Sequence, residues 1–207
     1  MSTQTAVEEK LNAWSHGVGA VLGIVGLFVL LANSDHKPWS LFSIWVYGVS
    51  MIVLFTASTL YHAVQSEARK HLFRIVDHLS IYLLIAGTYT PVLLLLLLHS
   101  KGWTLFYGVW GIALVGIVLK LFFTGKFEVV STLLYLVMGW LIVFDFEALV
   151  NAIHPDGLAL LIAGGIFYTV GIVFYAIKKI PYHHVIWHFF VLGGAACHYF
   201  MILNYVI

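Results

Sequence analysis

Residues 181–206 read PYHHVIWHFFVLGGAACHYFMILNYV, an apolar run with two histidines four residues apart at its start. A helix rises about 1.5 Å per residue, so about 20 apolar residues cross the hydrocarbon core of a bilayer. Runs of that kind fall near 13–33, 40–64, 75–98, 103–122, 129–149, 157–177 and 183–206. No internal repeat stands out, and no stretch between them is long enough for a soluble domain. The expected fold is all-α: a single integral-membrane domain, residues 1–207, built as a seven-transmembrane helix bundle.

Composition points the same way. The chain is 62% hydrophobic and 9% charged, with a mean hydropathy of +1.00. A soluble chain of this length has no interior large enough to hide so much apolar side chain, so the lipid bilayer is the expected partner. A net charge of +1 and the absence of a basic stretch argue against a nucleic-acid partner. The only cysteine, Cys197, lies inside an apolar run, which excludes a disulfide framework. The residues before the first run are polar and include Glu8 and Glu9, a poor match to a cleavable signal peptide. The first span is therefore expected to serve as an uncleaved insertion signal.

Lysine and arginine placement sets the expected orientation. Lys10, Arg69, Lys70, Arg74, Lys120, Lys126, Lys178 and Lys179 fall on the side of the N-terminus, and only Lys37 and Lys101 on the other. This bias places the N-terminus in the cytoplasm and the C-terminus outside, opposite to ordinary G-protein-coupled receptors. The seventh span contains no lysine, which excludes a retinal Schiff base. Trp39 and Trp103 at the outer ends, with Trp14 and Trp187 at the inner ends, fit interfacial belts. Gly19-x-x-x-Gly23, Gly164 and Gly165 are expected to allow close helix contact. Pro91 predicts a kink in the third span, and Pro181 suits the first turn of the seventh.

Ionisable groups at membrane depth are costly and mark function. His16, Ser58, His62, Asp77, His78, His184, His188 and His198 are the polar residues of interest. His62 lies about one turn inside the cytoplasmic end of the second span, and Asp77 about one turn into the third. His184 and His188 occupy the first two turns of the seventh, on one helical face. Three helices thus deliver three histidines and an aspartate to a slab roughly 10 Å thick. Three neutral imidazoles are the ligand set of a catalytic zinc ion whose fourth position takes water. Asp77 is placed to receive the proton of that water or to orient it, and Ser58 to hydrogen-bond it. Alternatives stay open: Asp77 paired with Arg74 or His78, Ser58 bonded to its own backbone, and His16 as a structural neighbour of the site. His198 lies about 21 Å along the helix from His184, too far for the same metal. His36, His71, His99 and His154 fall in connections, where solvation is expected.

These residues carry a resemblance. Ser58-x-x-x-His62, Ser66-Glu67, Asp77, Gly87, Pro91, and His184-x-x-x-His188 with His198-Tyr199-Phe200 resemble the hemolysin III proteins of bacteria. Those are similar to the progestin and adiponectin receptor (PAQR) family, and the N-terminal run Glu9-x-x-Asn12-x-x-Ser15-His16 resembles that family's opening motif. The resemblance spans nearly the whole chain. It implies a seven-helix bundle with a cytoplasmic N-terminus in the bacterial cell (inner) membrane. It also implies zinc held at His62, His184 and His188, with Ser58 and Asp77 beside it. The wider superfamily includes alkaline ceramidases, so it implies hydrolysis of a membrane lipid amide or ester, in membrane homeostasis. The competing expectations are a receptor or sensor with structural zinc, and a pore that causes cytolysis. A pore needs polar groups across the full depth, and the outer half offers only His198 and a few hydroxyls.

Overall fold

Lipid offers no hydrogen bonds, so each apolar run must satisfy its backbone internally and folds as a helix. A computed structural model describes residues 4–207. The order is α1 (Ala6–Ala32), α2 (Ser40–Ala63), α3 (Glu67–Pro91) with a π-helical turn (Val92–Leu96), and α4 (Gly102–Phe123). Then come α5 (Glu128–Gly139), a 3-10 turn (Leu141–Asp145), α6 (Phe146–Ala152), α7 (Pro155–Ala176) and α8 (His183–Tyr205). There is no strand among the described residues. Seven helical spans are long and apolar enough to cross a membrane, the fifth running from α5 through α6. The chain is a multi-pass membrane protein.

Charged residues extend the helices beyond the apolar runs. α1 begins at Ala6 rather than near 13, because Thr5 and Glu8 form a capping box. Thr5 N donates to Glu8 Oε2 at 2.7 Å and Glu8 N to Thr5 Oγ1 at 3.2 Å. Such a cap stabilises a helix start by about 1 kcal/mol. α3 begins at Glu67 rather than near 75, so Asp77 lies about three turns into its helix, and His71 is helical rather than in a connection. Lys120, counted above with the flanking charges, lies inside α4 at 1% exposure, with Nζ 2.8 Å from Glu128 Oε2.

Of the two proline expectations, the one for Pro181 needs correction. Pro91 has no N–H for the carbonyl one turn back, and the winding changes from α to π directly after it. Pro181 lies outside α8, which starts at His183 after Tyr182 in a left-handed conformation with φ 56°. The fifth span is also broken rather than continuous. α5 ends at Gly139, and the Tyr89 hydroxyl replaces missing helical bonds, donating to Gly139 O at 2.9 Å and accepting from Ile142 N at 3.0 Å. Beyond the break, the buried Asp145 accepts from Ser100 Oγ at 2.8 Å and Lys101 N at 2.9 Å.

α3 is the most buried span. α1 and α2 pack along one another, α2 along α3 and α7 along α8, and α8 closes back onto α1. Large side chains such as Val21, Phe28, Phe122, Val129 and Ile166 point outward, as a lipid-facing surface requires. Trp39 and Trp103 meet edge to face with centroids 5.2 Å apart. A Cβ on Gly19 would lie 2.9 Å from Leu192 Cδ2 and Phe55 Cδ1, so this glycine does permit close packing. Gly164 backs onto the His198 ring, whereas Gly165 has nothing near it.

α4 offers an internal test of this packing. A Cβ on Gly116 would fall inside the fully buried Tyr82 ring, while Gly108 and Gly111 face open space. Gly116→Ala is expected to cost about 1–3 kcal/mol by overpacking and to lower the melting midpoint in detergent. Gly108→Ala and Gly111→Ala should leave it unchanged or raise it slightly, because alanine favours helix. Equal midpoints for Gly116→Ala and Gly111→Ala would contradict the packing described.

Candidate metal centre

α2 ends one residue after His62, and α8 begins one residue before His184. Because α8 closes back toward α1 and α2, the start of one helix meets the end of the other. The i, i+4 spacing puts His184 and His188 on one face of α8, with ring centroids 4.8 Å apart. The His62 ring lies 5.2 Å from that of His184 and 5.0 Å from that of His188. One ligand atom from each of the three residues lies within 4.8 Å of the others. Four-coordinate ligands at about 2.0–2.1 Å from an ion sit a little over 3 Å apart, so small side-chain rotations complete the convergence.

These residues fit a metal on more than proximity. His62 is 4% exposed, and its Nε2 is buried with no hydrogen-bond partner. Leaving such a nitrogen unpaired costs about 1–3 kcal/mol, which a metal bond removes. Its other nitrogen, Nδ1, lies 2.7 Å from Glu9 Oε2. Metal-ligating histidines typically carry a carboxylate on the second nitrogen. Three donors could hold a metal ion, and no fourth His, Cys, Asp or Glu joins the cluster among the described residues.

Asp77 and Ser58 stand beside the cluster on the wall of a cavity of about 340 Å³. Asp77 pairs with neither Arg74 nor His78; Arg74 instead faces Glu128 at 3.8 Å. Ser58 does not bond its backbone; its buried Oγ faces the Asp77 carboxyl, whereas neighbouring Thr59 does bond Phe55 O at 2.7 Å. His16 stacks on His188 with centroids 3.6 Å apart and planes 9° apart, and stays outside the ligand set. His78 lines the same cavity. His198 lines its far part, its Nε2 3.2 Å from Leu161 O, and takes no part in the cluster.

Glu9 and Ser15, both in the N-terminal motif, also belong to the site. Ser15 Oγ lies 3.3 Å from His188 Nδ1. The sequence signal is that motif: Glu9, Asn12 and His16 follow at spacings of three and four along α1, with Ser15 beside His16.

Away from the histidines the cavity is walled by apolar side chains such as Leu84, Ile85, Val92, Leu136 and Ile172. It follows α8 from His184 to His198, about 21 Å. Trp140, Val143 and Phe146 of the fifth span and Ile162 of α7 line it and keep accessible surface.

Comparison with known proteins gives the chain a family. Residues 4–199 match the family described as Haemolysin-III related. The chain is 46% identical over 207 residues to Hemolysin-3 of Bacillus cereus, covering 99% of this chain and 94% of that protein. It is 45% identical over 205 residues to the Hemolysin-3 homolog of Bacillus subtilis (strain 168), covering 98% and 96%. The human Monocyte to macrophage differentiation factor is 34% identical over 209 residues, covering 98% of this chain and 86% of its own length.

Proposed function

The chain belongs to the haemolysin-III related family, related to the PAQR proteins, and from that premise we propose a zinc-dependent hydrolase of a membrane lipid amide or ester. The observation that carries this reading is the convergence of His62, His184 and His188 on the wall of a long apolar cavity that also bears Asp77 and Ser58. An all-imidazole site of three ligands suits zinc, which when bound supplies a Lewis acid that polarises a carbonyl and acidifies water. The apolar cavity takes the acyl chain and keeps bulk water out.

Asp77 acts as general base and then general acid. It accepts a proton from the water whose oxygen bonds to the acyl carbon. It returns that proton to the amine or alcohol as the C–N or C–O bond breaks. Ser58 Oγ, beside the Asp77 carboxyl, holds the water in line. The products are a fatty acid and a lipid amine or alcohol, consistent with a role in membrane homeostasis. In this reading the protein resides in the bacterial cell membrane with its N-terminus and metal centre toward the cytoplasm.

A purely structural zinc in a receptor or sensor takes four protein ligands as a rule. Three donors beside a cavity favour the open, catalytic form. The test is fatty-acid release by the purified protein from a panel of lipid amides and esters in nanodiscs. Release is expected with zinc, lost on chelation and restored by zinc alone. A protein that holds one zinc per chain and hydrolyses none of the panel would point instead to the receptor reading.

A further inference from the structure

The donors around the histidines allow an assignment beyond the ligands themselves. A carboxylate only accepts hydrogen bonds, so the 2.7 Å contact from Glu9 Oε2 requires hydrogen on His62 Nδ1. The Nε2 lone pair of His62 is then free, and Nε2 is the buried atom without a partner. Glu9 is itself held: its Oε1 accepts from Lys70 Nζ at 3.0 Å, and Lys70 also donates to Tyr61 O at 3.2 Å. The same logic applies at His188. Ser15 has one hydroxyl hydrogen, and it goes to Asn12 O at 3.0 Å. Ser15 Oγ therefore accepts from His188 Nδ1 at 3.3 Å, which again leaves Nε2 as the free nitrogen.

We propose that the first turns of α1 position the metal centre: Glu9, braced by Lys70, and Ser15 fix the Nδ1–H tautomers of His62 and His188. The proposal rests on the reading that His62, His184 and His188 hold a metal. α1 contributes no ligand, yet it sets which nitrogen of two ligands faces the ion and in what plane. Glu9 is the stronger device, being charged and close, while Ser15 is neutral and longer. His184 has no such partner in α1; its ring lies among His62 of α2, Tyr175 of α7 and His188. This explains why a polar, charged face continues the first span beyond its apolar run.

The experiment is zinc competition titration of the full-length protein in nanodiscs, with thermal melts of the metal-free form as a fold control. Glu9→Ala is expected to weaken zinc binding by about 10–100-fold at an unchanged melting midpoint, and Ser15→Ala by several-fold. The double variant Glu9→Gln/Lys70→Met keeps an acceptor for Nδ1–H and removes the ion pair, so it should recover most of the Glu9→Ala loss. An ion pair that merely ties α1 to α3 predicts instead that the double variant is as weak as Glu9→Ala. Wild-type affinity in Glu9→Ala, or no recovery in the double variant, overturns the proposal. Nitrogen-15 chemical shifts of His62 in metal-free protein give a separate readout. They should report hydrogen on Nδ1 in the wild type and a tautomer mixture in Glu9→Ala. That readout stands even if the wild type binds no zinc, an outcome that would refute the metal reading itself.

Discussion

In His188→Ala, metal and hydrolysis are expected to disappear together. Structural zinc sites with four ligands bind with about 10–16 kcal/mol, so each ligand contributes roughly 3–4 kcal/mol. Losing one of three is thus expected to weaken binding by at least about 100-fold. His188 is 2% exposed, so its removal also leaves a hole beside His16 and frees Ser15 Oγ. α8 remains packed along α7 and against α1 over its length, so the bundle should survive the loss of one ring. His198→Ala is the matched control, a cavity-lining histidine of the same helix about 15 Å further on, and should keep its zinc. Metal analysis of the two variants beside wild type decides the matter. Stoichiometric zinc at wild-type affinity in His188→Ala would remove the site. Partial retention that vanishes in His16→Phe/His188→Ala would trace to the stacked His16 ring taking over as ligand.

The parts of this architecture that follow from one-dimensional pattern are the spans and the ligand trio. Seven apolar runs leave few alternatives in a bilayer, and their centres agree with the helices. The meeting of His62 with His184 and His188 was legible because each sits within two turns of a helix end on the same side. Depth is the one tertiary coordinate that hydropathy reveals. Helix ends were less legible, since α1 and α3 continue through charged turns that lie outside any apolar window. The break at Gly139 depends on Tyr89, 50 residues earlier, a contact with no local signature. Glu9 escaped for a related reason. It lies outside the apolar run, where a carboxylate is ordinarily solvated, and only the α1–α2 packing turns it onto His62.

Asp77→Asn should separate chemistry from metal binding. Asp77 is not among the three donors, so zinc affinity is expected to stay within a few-fold of wild type. Asparagine has nearly the same shape and can neither accept nor return the proton. Loss of a positioned general acid–base group lowers turnover by about 100- to 10,000-fold. The fall should lie in kcat with little change in KM, because the apolar walls that hold the acyl chain are untouched. Stability should not suffer: Asp77 forms no ion pair among the described residues, and a charge at membrane depth is costly to keep. Ser58→Ala should be milder, roughly tenfold, since one neutral hydrogen bond to water is removed. Hydrolysis by Asp77→Asn at the wild-type rate would sink the role given to this carboxylate. A variant that instead loses zinc would move Asp77 into the coordination sphere, closing the site and turning the argument toward a structural ion.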